Sequence, residues 1–128
     1  MKGLNDFEMA LLDKLLAGDH PVLCVLRKQA NKGRLVSREY TGAGFFCIFE
    51  VPTDVPSAIA GSDFHFGDVN ACIDGLQHGA GFVVFVRNGR LHMLEGYSFD
   101  EPWPQALNSF VLSYQIEPRN LKLPDPHK

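Results

Sequence analysis

The sequence is poor in the features that usually announce a function. Its three cysteines, Cys24, Cys47 and Cys72, are odd in number and show no CxxC spacing. That excludes a disulfide framework and fits small buried hydrophobes in a reducing compartment. Net charge is only −3, which argues against a nucleic-acid binder, whose domain normally carries a basic excess. The one basic run, Arg27, Lys28, Lys32, Arg34 and Arg38, lacks interleaved aromatics and has an ordinary explanation as helix-end and edge-strand charge. No apolar run approaches transmembrane length, and MKGLNDFEM has no signal-like h-region, so a cytoplasmic location is expected. The histidines, His20, His65, His78, His92 and His127, form no HxxxH or HExxH pattern, and no serine sits in GxSxG. No metal, no cofactor and no nucleophilic catalysis are therefore expected, and the expectation leans away from an enzyme.

What is present is a small core-forming chain. Its 128 residues are 45% hydrophobic and include ten phenylalanines, enough for one domain with a substantial core. The strongest signal is His78–Tyr97, HGAGFVVFVRNGRLHMLEGY, two apolar strands around Asn88-Gly89, the pair that a type I′ hairpin turn demands. A two-residue loop would set Val86 opposite Leu91, Val84 opposite Met93 and Phe82 opposite Glu95, with the two arginines Arg87 and Arg90 facing each other at an exposed tip.

Upstream, Asn5 and Glu8 form a capping box, and Phe7, Leu11, Leu12 and Leu15 make the buried stripe of a first helix ending near Gly18. Pro21 at a first helical position and Asn31-Lys32-Gly33 as a stop favour a second helix over a strand. From Arg34 the period becomes two. Residues 34–41 read as a strand near an edge, and Phe45–Val51 reads as a central strand covered on both faces for much of its length. A loop then runs to Asp63. In FHFGDVNACID, Phe64 and Phe66 fall on even positions but Val69, Ala71 and Ile73 on odd ones, so one extra residue is absorbed at Gly67-Asp68 as a β-bulge. Phe110–Glu117 alternates as a last strand, and a loose tail containing Pro118, Pro124 and Pro126 follows.

The expected fold is α+β: two N-terminal helices packed on a bent, mainly antiparallel sheet of about five or six strands. It occupies residues 1–117 as one domain, with 118–128 as a tail. This plan resembles cystatin-like and NTF2-like folds, in which a curled sheet wraps a helix, and such a likeness carries no function.

Candidate functional residues fall into two groups. LEGYSFDEPWP mixes aromatics with acids, and Tyr97, Asp100, Glu101 and Trp103 would make a docking surface for a basic protein partner. The alternative for this stretch is a turn locked by burial of Trp103. The second group is His65, Asp68 and Glu95, which would line a small-molecule pocket if the bulge turned His65 and Asp68 toward a common cavity. Glu95, placed beside Phe82 on the apolar row, would be either a functional carboxylate or one bonded to loop N–H groups. The segment GAGF occurs at Gly42–Phe45 and Gly79–Phe82. Both copies enter strands, which favours close backbone approach over phosphate binding.

The segments GAGFFCIFEVP, FGDV-ACIDGLQHGAGFVVFV and LEGYSFDEPWP resemble a set of small uncharacterised bacterial proteins across about Leu4–Tyr114. The resemblance supplies no activity, ligand or catalytic residue. Small acidic α+β proteins of this sort are often immunity proteins or other partner-binding proteins. The expectation is therefore a non-enzymatic protein-binding module, with a pocket-bearing small-molecule binder or enzyme as the alternative and a strand-edge homodimer as a third arrangement.

Overall fold

A computed structural model describes residues 1–59, 61–107 and 109–125; Pro126 and His127 of the expected tail lie outside the described residues. The chain begins with helices α1 (Asp6–Leu15) and α2 (Pro21–Lys32). Both start as their sequences dictate. The Asn5 side chain accepts from the Glu8 N–H while Glu8 accepts from the Asn5 N–H, closing the capping box. Pro21 opens α2, His20 Nδ1 accepts from the Val22 N–H, and the helix ends at Gly33. Arg27 donates to the Leu16 and Gly18 carbonyls, so part of the basic run satisfies the end of α1.

Among the described residues seven strands follow: β1 (Arg34–Tyr40), β2 (Gly44–Glu50), β3 (Phe64–Phe66), β4 (Val69–Ile73), β5 (Ala80–Arg87), β6 (Arg90–Ser98) and β7 (Phe110–Tyr114). All strand pairs are antiparallel, in the order β1-β2-β6-β5-β4-β7, with β3 also on β5. The count exceeds the expected five or six because the bulged segment divides. Phe66 pairs with Val84 and Asn70 with Gly81, so one residue is surplus at the predicted place. Phe66 and Val69 both turn inward. Gly67 permits this, because a Cβ there would stand 1.9 Å from the Phe82 carbonyl oxygen.

The hairpin turn is of the predicted kind, with Asn88 at φ 54° and Gly89 at φ 75°. Its register is not the predicted one. Val86 pairs with Leu91 but Phe85 pairs with Met93, leaving His92 as a second bulge. Beyond it every pairing shifts by one: Leu94 stands opposite Val84, and Glu95 opposite Val83 instead of Phe82. The tip is also less exposed than expected. Gly89 is buried, its carbonyl accepts from Ala58 N and Gln29 Nε2, and Arg90 donates to the carbonyls of Pro52, Thr53 and Val55.

The two helices lie on one face of the sheet. Between them sits a core built around Phe7, whose ring meets Phe45, Phe82 and Phe110 at 6.5, 5.8 and 4.9 Å. Burying a ring such as Phe82 contributes about 2–3 kcal/mol relative to exposure. The expected loose tail is anchored at its start. Arg119 binds Asp68 through two bonds of 2.8 Å and donates to the Leu15 and Ala17 carbonyls, and Leu121 and Leu123 pack against the core.

Candidate functional site

With both helices on one side, the other face of the central strands has no cover among the described residues. Cross-strand register sets out its side chains in rows. One row runs Ser37, Ile48, Met93, Phe85, His65. The next runs Glu39, Phe46, Glu95, Val83. A third has Tyr97 between Gly44 and Gly81. Phe46, Ile48, Val83, Phe85, Met93 and Tyr97 are each half-buried. An antiparallel sheet facing water normally alternates apolar inside with polar outside. Here the outer face is instead apolar at its centre.

The expectation that Phe45–Val51 is covered on both faces is thus corrected. Phe45, Cys47 and Phe49 are buried against the helices, whereas Phe46 and Ile48 lie on the open side. A carboxylate sits among these residues. Glu95, flanked by Phe46 and Val83, has no hydrogen-bond or ion-pair partner among the described residues.

Compared with protein-family models, with curated proteins and with solved structures, the chain matches none. Geometry alone therefore bears on its function.

The four residues expected to form an acidic-aromatic surface take different roles. Trp103 is only 9% exposed and packs edge-on against Phe45 at 5.3 Å, and its backbone N–H donates to the Gly42 carbonyl. Glu101 accepts from the backbone N–H groups of Gln77 and His78 at 2.8 and 2.9 Å, and these bonds hold its carboxyl below the usual range. Both residues lock loops. Asp100 is exposed at φ 58° in the turn between them and β6. Tyr97 belongs to the open face, where it crosses Gly81 and meets Phe99 edge-on at 5.6 Å. Gly44 and Gly81, from the two GAGF segments, flank this tyrosine. A side chain at Gly81 would collide with its ring, so the repeated motif serves close packing.

His65, Asp68 and Glu95 do not converge. His65 is exposed on the open face with its ring 5.7 Å from that of Phe85. The carboxylate of Asp68 faces the helix side, where Arg119 ties it to the end of α1. Glu95 shares the open face with His65 but lies in a different cross-strand row.

An enclosed polar cluster at the start of α1 is structural. Glu8 receives Arg38, the Asn5 N–H and the Cys47 thiol. Burial first, and then the charge of Glu8 and its hydrogen bond, push the Cys47 thiol up to about 12, so it stays protonated and is no nucleophile. Among the described residues no group of three or more His, Cys, Asp or Glu could hold a metal ion, and no helix is long and apolar enough to cross a membrane.

The signal for the open face was present in the sequence as two near-continuous apolar runs, FFCIFEV and FVVFV. Such runs imply burial on both faces, while helices of 10 and 12 residues suffice for one.

Proposed function

We propose that this chain is a non-enzymatic protein-binding module that meets its partner through the open face of its sheet. The supporting observation is the apolar field of Phe46, Ile48, Val83, Phe85 and Met93, uncovered among the described residues and centred on strands whose composition asks for burial on both sides. The partner supplies the second cover. Glu95 tells its charge: a carboxylate ringed by apolar side chains is costly to desolvate unless a donor meets it, so the partner presents a lysine or arginine there. Glu39, on the far side of Phe46 in the same row, adds to that preference. Two copies packed through the centre of this face would instead bring Glu95 groups together. An immunity-type protein that occupies a cationic bacterial toxin is the sharpest form of this reading.

The test compares tagged wild type with Phe46→Lys and Glu95→Lys in capture from lysate of the source cells, with Val111→Lys at the exposed edge strand as control. A stoichiometric protein retained by wild type and the control, lost in both face variants and weakened by salt, is the expected result. Capture unaffected by either face substitution would overturn the assignment. A concentration-dependent dimer with no other protein retained would replace the partner by a second copy.

A further inference from the structure

At the end of the open face nearest the hairpin turn lies a cleft of about 440 Å³, lined by Asp63, Phe64, His65, Phe85, Val86, Arg87, His92 and Met93. Its floor is apolar and aromatic. Its rim carries three groups that are or can become cationic, brought from three strands. His65 comes from β3, laid against Phe85. Arg87 ends β5, exposed and with no hydrogen bond or ion pair among the described residues. His92 is the bulged residue of β6: Leu91 and Leu94 are buried, so the bulge turns both His92 and Met93 outward. Without that extra residue His92 would not share this face with Met93, and bulges commonly re-aim side chains in this way next to functional sites.

We propose that this cleft binds an anionic group carried on an apolar stem, a carboxylate or phosphate monoester, held by Arg87, His92 and His65 with the stem on Phe85 and Met93. A guanidinium and two imidazoles supply directed donors to such a group, and the ring floor suits an aryl or alkyl body. Other charged groups lie near: Glu50, next after Ile48 on the open side of β2, is paired with Arg34 at 3.1 Å. Arg90 is spent on the carbonyls of Pro52, Thr53 and Val55, and the one lining carboxylate, Asp63, has Oδ1 occupied by the Asn88 N–H. Burial, and then the charge of Arg87, depress the pKa of His92. A bound anion offsets that charge, so binding draws a proton onto His92 and strengthens as pH falls. The proposal goes beyond the partner-binding reading and needs only this cleft. The anion's source is either a free small acid or an acidic side chain of a protein partner.

The experiment is an NMR titration of the intact chain with phenylacetate, whose charge is constant from about pH 6 to 7.5, reading the imidazole ring signals of His65 and His92, with acetate and benzyl alcohol as controls. The expected result is a saturable shift at about pH 6 that weakens several-fold near pH 7.5. Arg87→Gln should weaken binding by roughly tenfold, and His92→Gln should flatten its pH dependence, which a merely structural histidine would not do. No saturable shift, or shifts unchanged in both variants, would overturn the site. The source is read separately. A small organic acid retained by the protein purified from its cells assigns a free ligand, whereas loss of a captured protein in Arg87→Gln assigns a partner's side chain. Phe46→Lys, outside the cleft, should leave the titration intact, so failure of the partner-binding reading and failure of the anion site are told apart.

Discussion

The carboxylate of Glu8 meets the guanidinium of Arg38 through two bonds, 2.7 Å from Nε to Oε2 and 2.5 Å from Nη2 to Oε1, with the Glu8 side chain only 3% exposed. This pair ties the start of α1 to the edge strand β1, and the Cys47 thiol brings in β2. Burial raises the pKa of Glu8, but the hydrogen bonds from Arg38, Asn5 and Cys47 outweigh it and hold the group below its ordinary 4.5. Glu8→Gln should cost about 3 kcal/mol, because it leaves a partly enclosed guanidinium without its counter-charge. The folded-state value lies below the unfolded one, so the stabilisation is present above about pH 4.5 and is lost as pH falls through the folded value. Urea unfolding of the variant should accordingly show a flatter acid limb than wild type.

Gln29 is fully buried and makes three bonds, from Nε2 to the Pro56 and Gly89 carbonyls and to Oε1 from the Leu91 N–H. It joins α2, the 52–63 loop and the hairpin. Gln29→Leu keeps the volume but orphans the Leu91 donor and the Pro56 acceptor. A loss of about 3 kcal/mol is expected, together with faster amide exchange at Leu91 measured by NMR. Unchanged exchange at Leu91 would show that Gln29 does not hold the hairpin.

Trp103→Ala should destabilise by about 3 kcal/mol through the cavity left beside Phe45. Asp100→Asn, on an exposed turn and with a side chain that tolerates φ 58°, should move stability by less than about 0.5 kcal/mol. Thermal and urea unfolding of the two variants separates the loop-locking residue from its exposed neighbour. Equal effects would contradict this division of roles.

Phe46→Lys and Glu95→Lys should stay folded, with losses of about 1 kcal/mol or less, since both side chains already lie on the half-open face. Partner capture is the property they should lose. A collapse in melting temperature in either variant would mean that the face is needed for folding.

Cysteine reactivity should follow burial. Cys72 is exposed and Cys24 half-exposed, while Cys47 is enclosed and held protonated by burial and the charge of Glu8. Thiol titration of the native protein with a disulfide reagent should modify Cys72 first and Cys47 only on unfolding.

Much of the framework was written in short stretches of the chain. The capping box of Asn5 and Glu8, the Pro21 start and Gly33 stop of α2, the Asn88-Gly89 turn, the surplus residue at Gly67-Asp68 and the alternation of Phe110–Tyr114 each depend on residues a few positions apart. Backbone sterics and side-chain periodicity act over that range, so the α+β class and the edge position of β1 were legible.

Tertiary structure alone decided the rest. The bulge at His92 needs Phe85 and Val86 across the ladder to define it, and it moves Glu95 from the core row to the open face. Glu8 finds Arg38 30 residues away and Gln29 finds Gly89 60 residues away, and no local pattern encodes either meeting. Which face of β2 and β5 the helices cover, and so which apolar side chains stay uncovered among the described residues, follows from sheet order. That order is set by the summed packing of the whole chain and by no single segment of it.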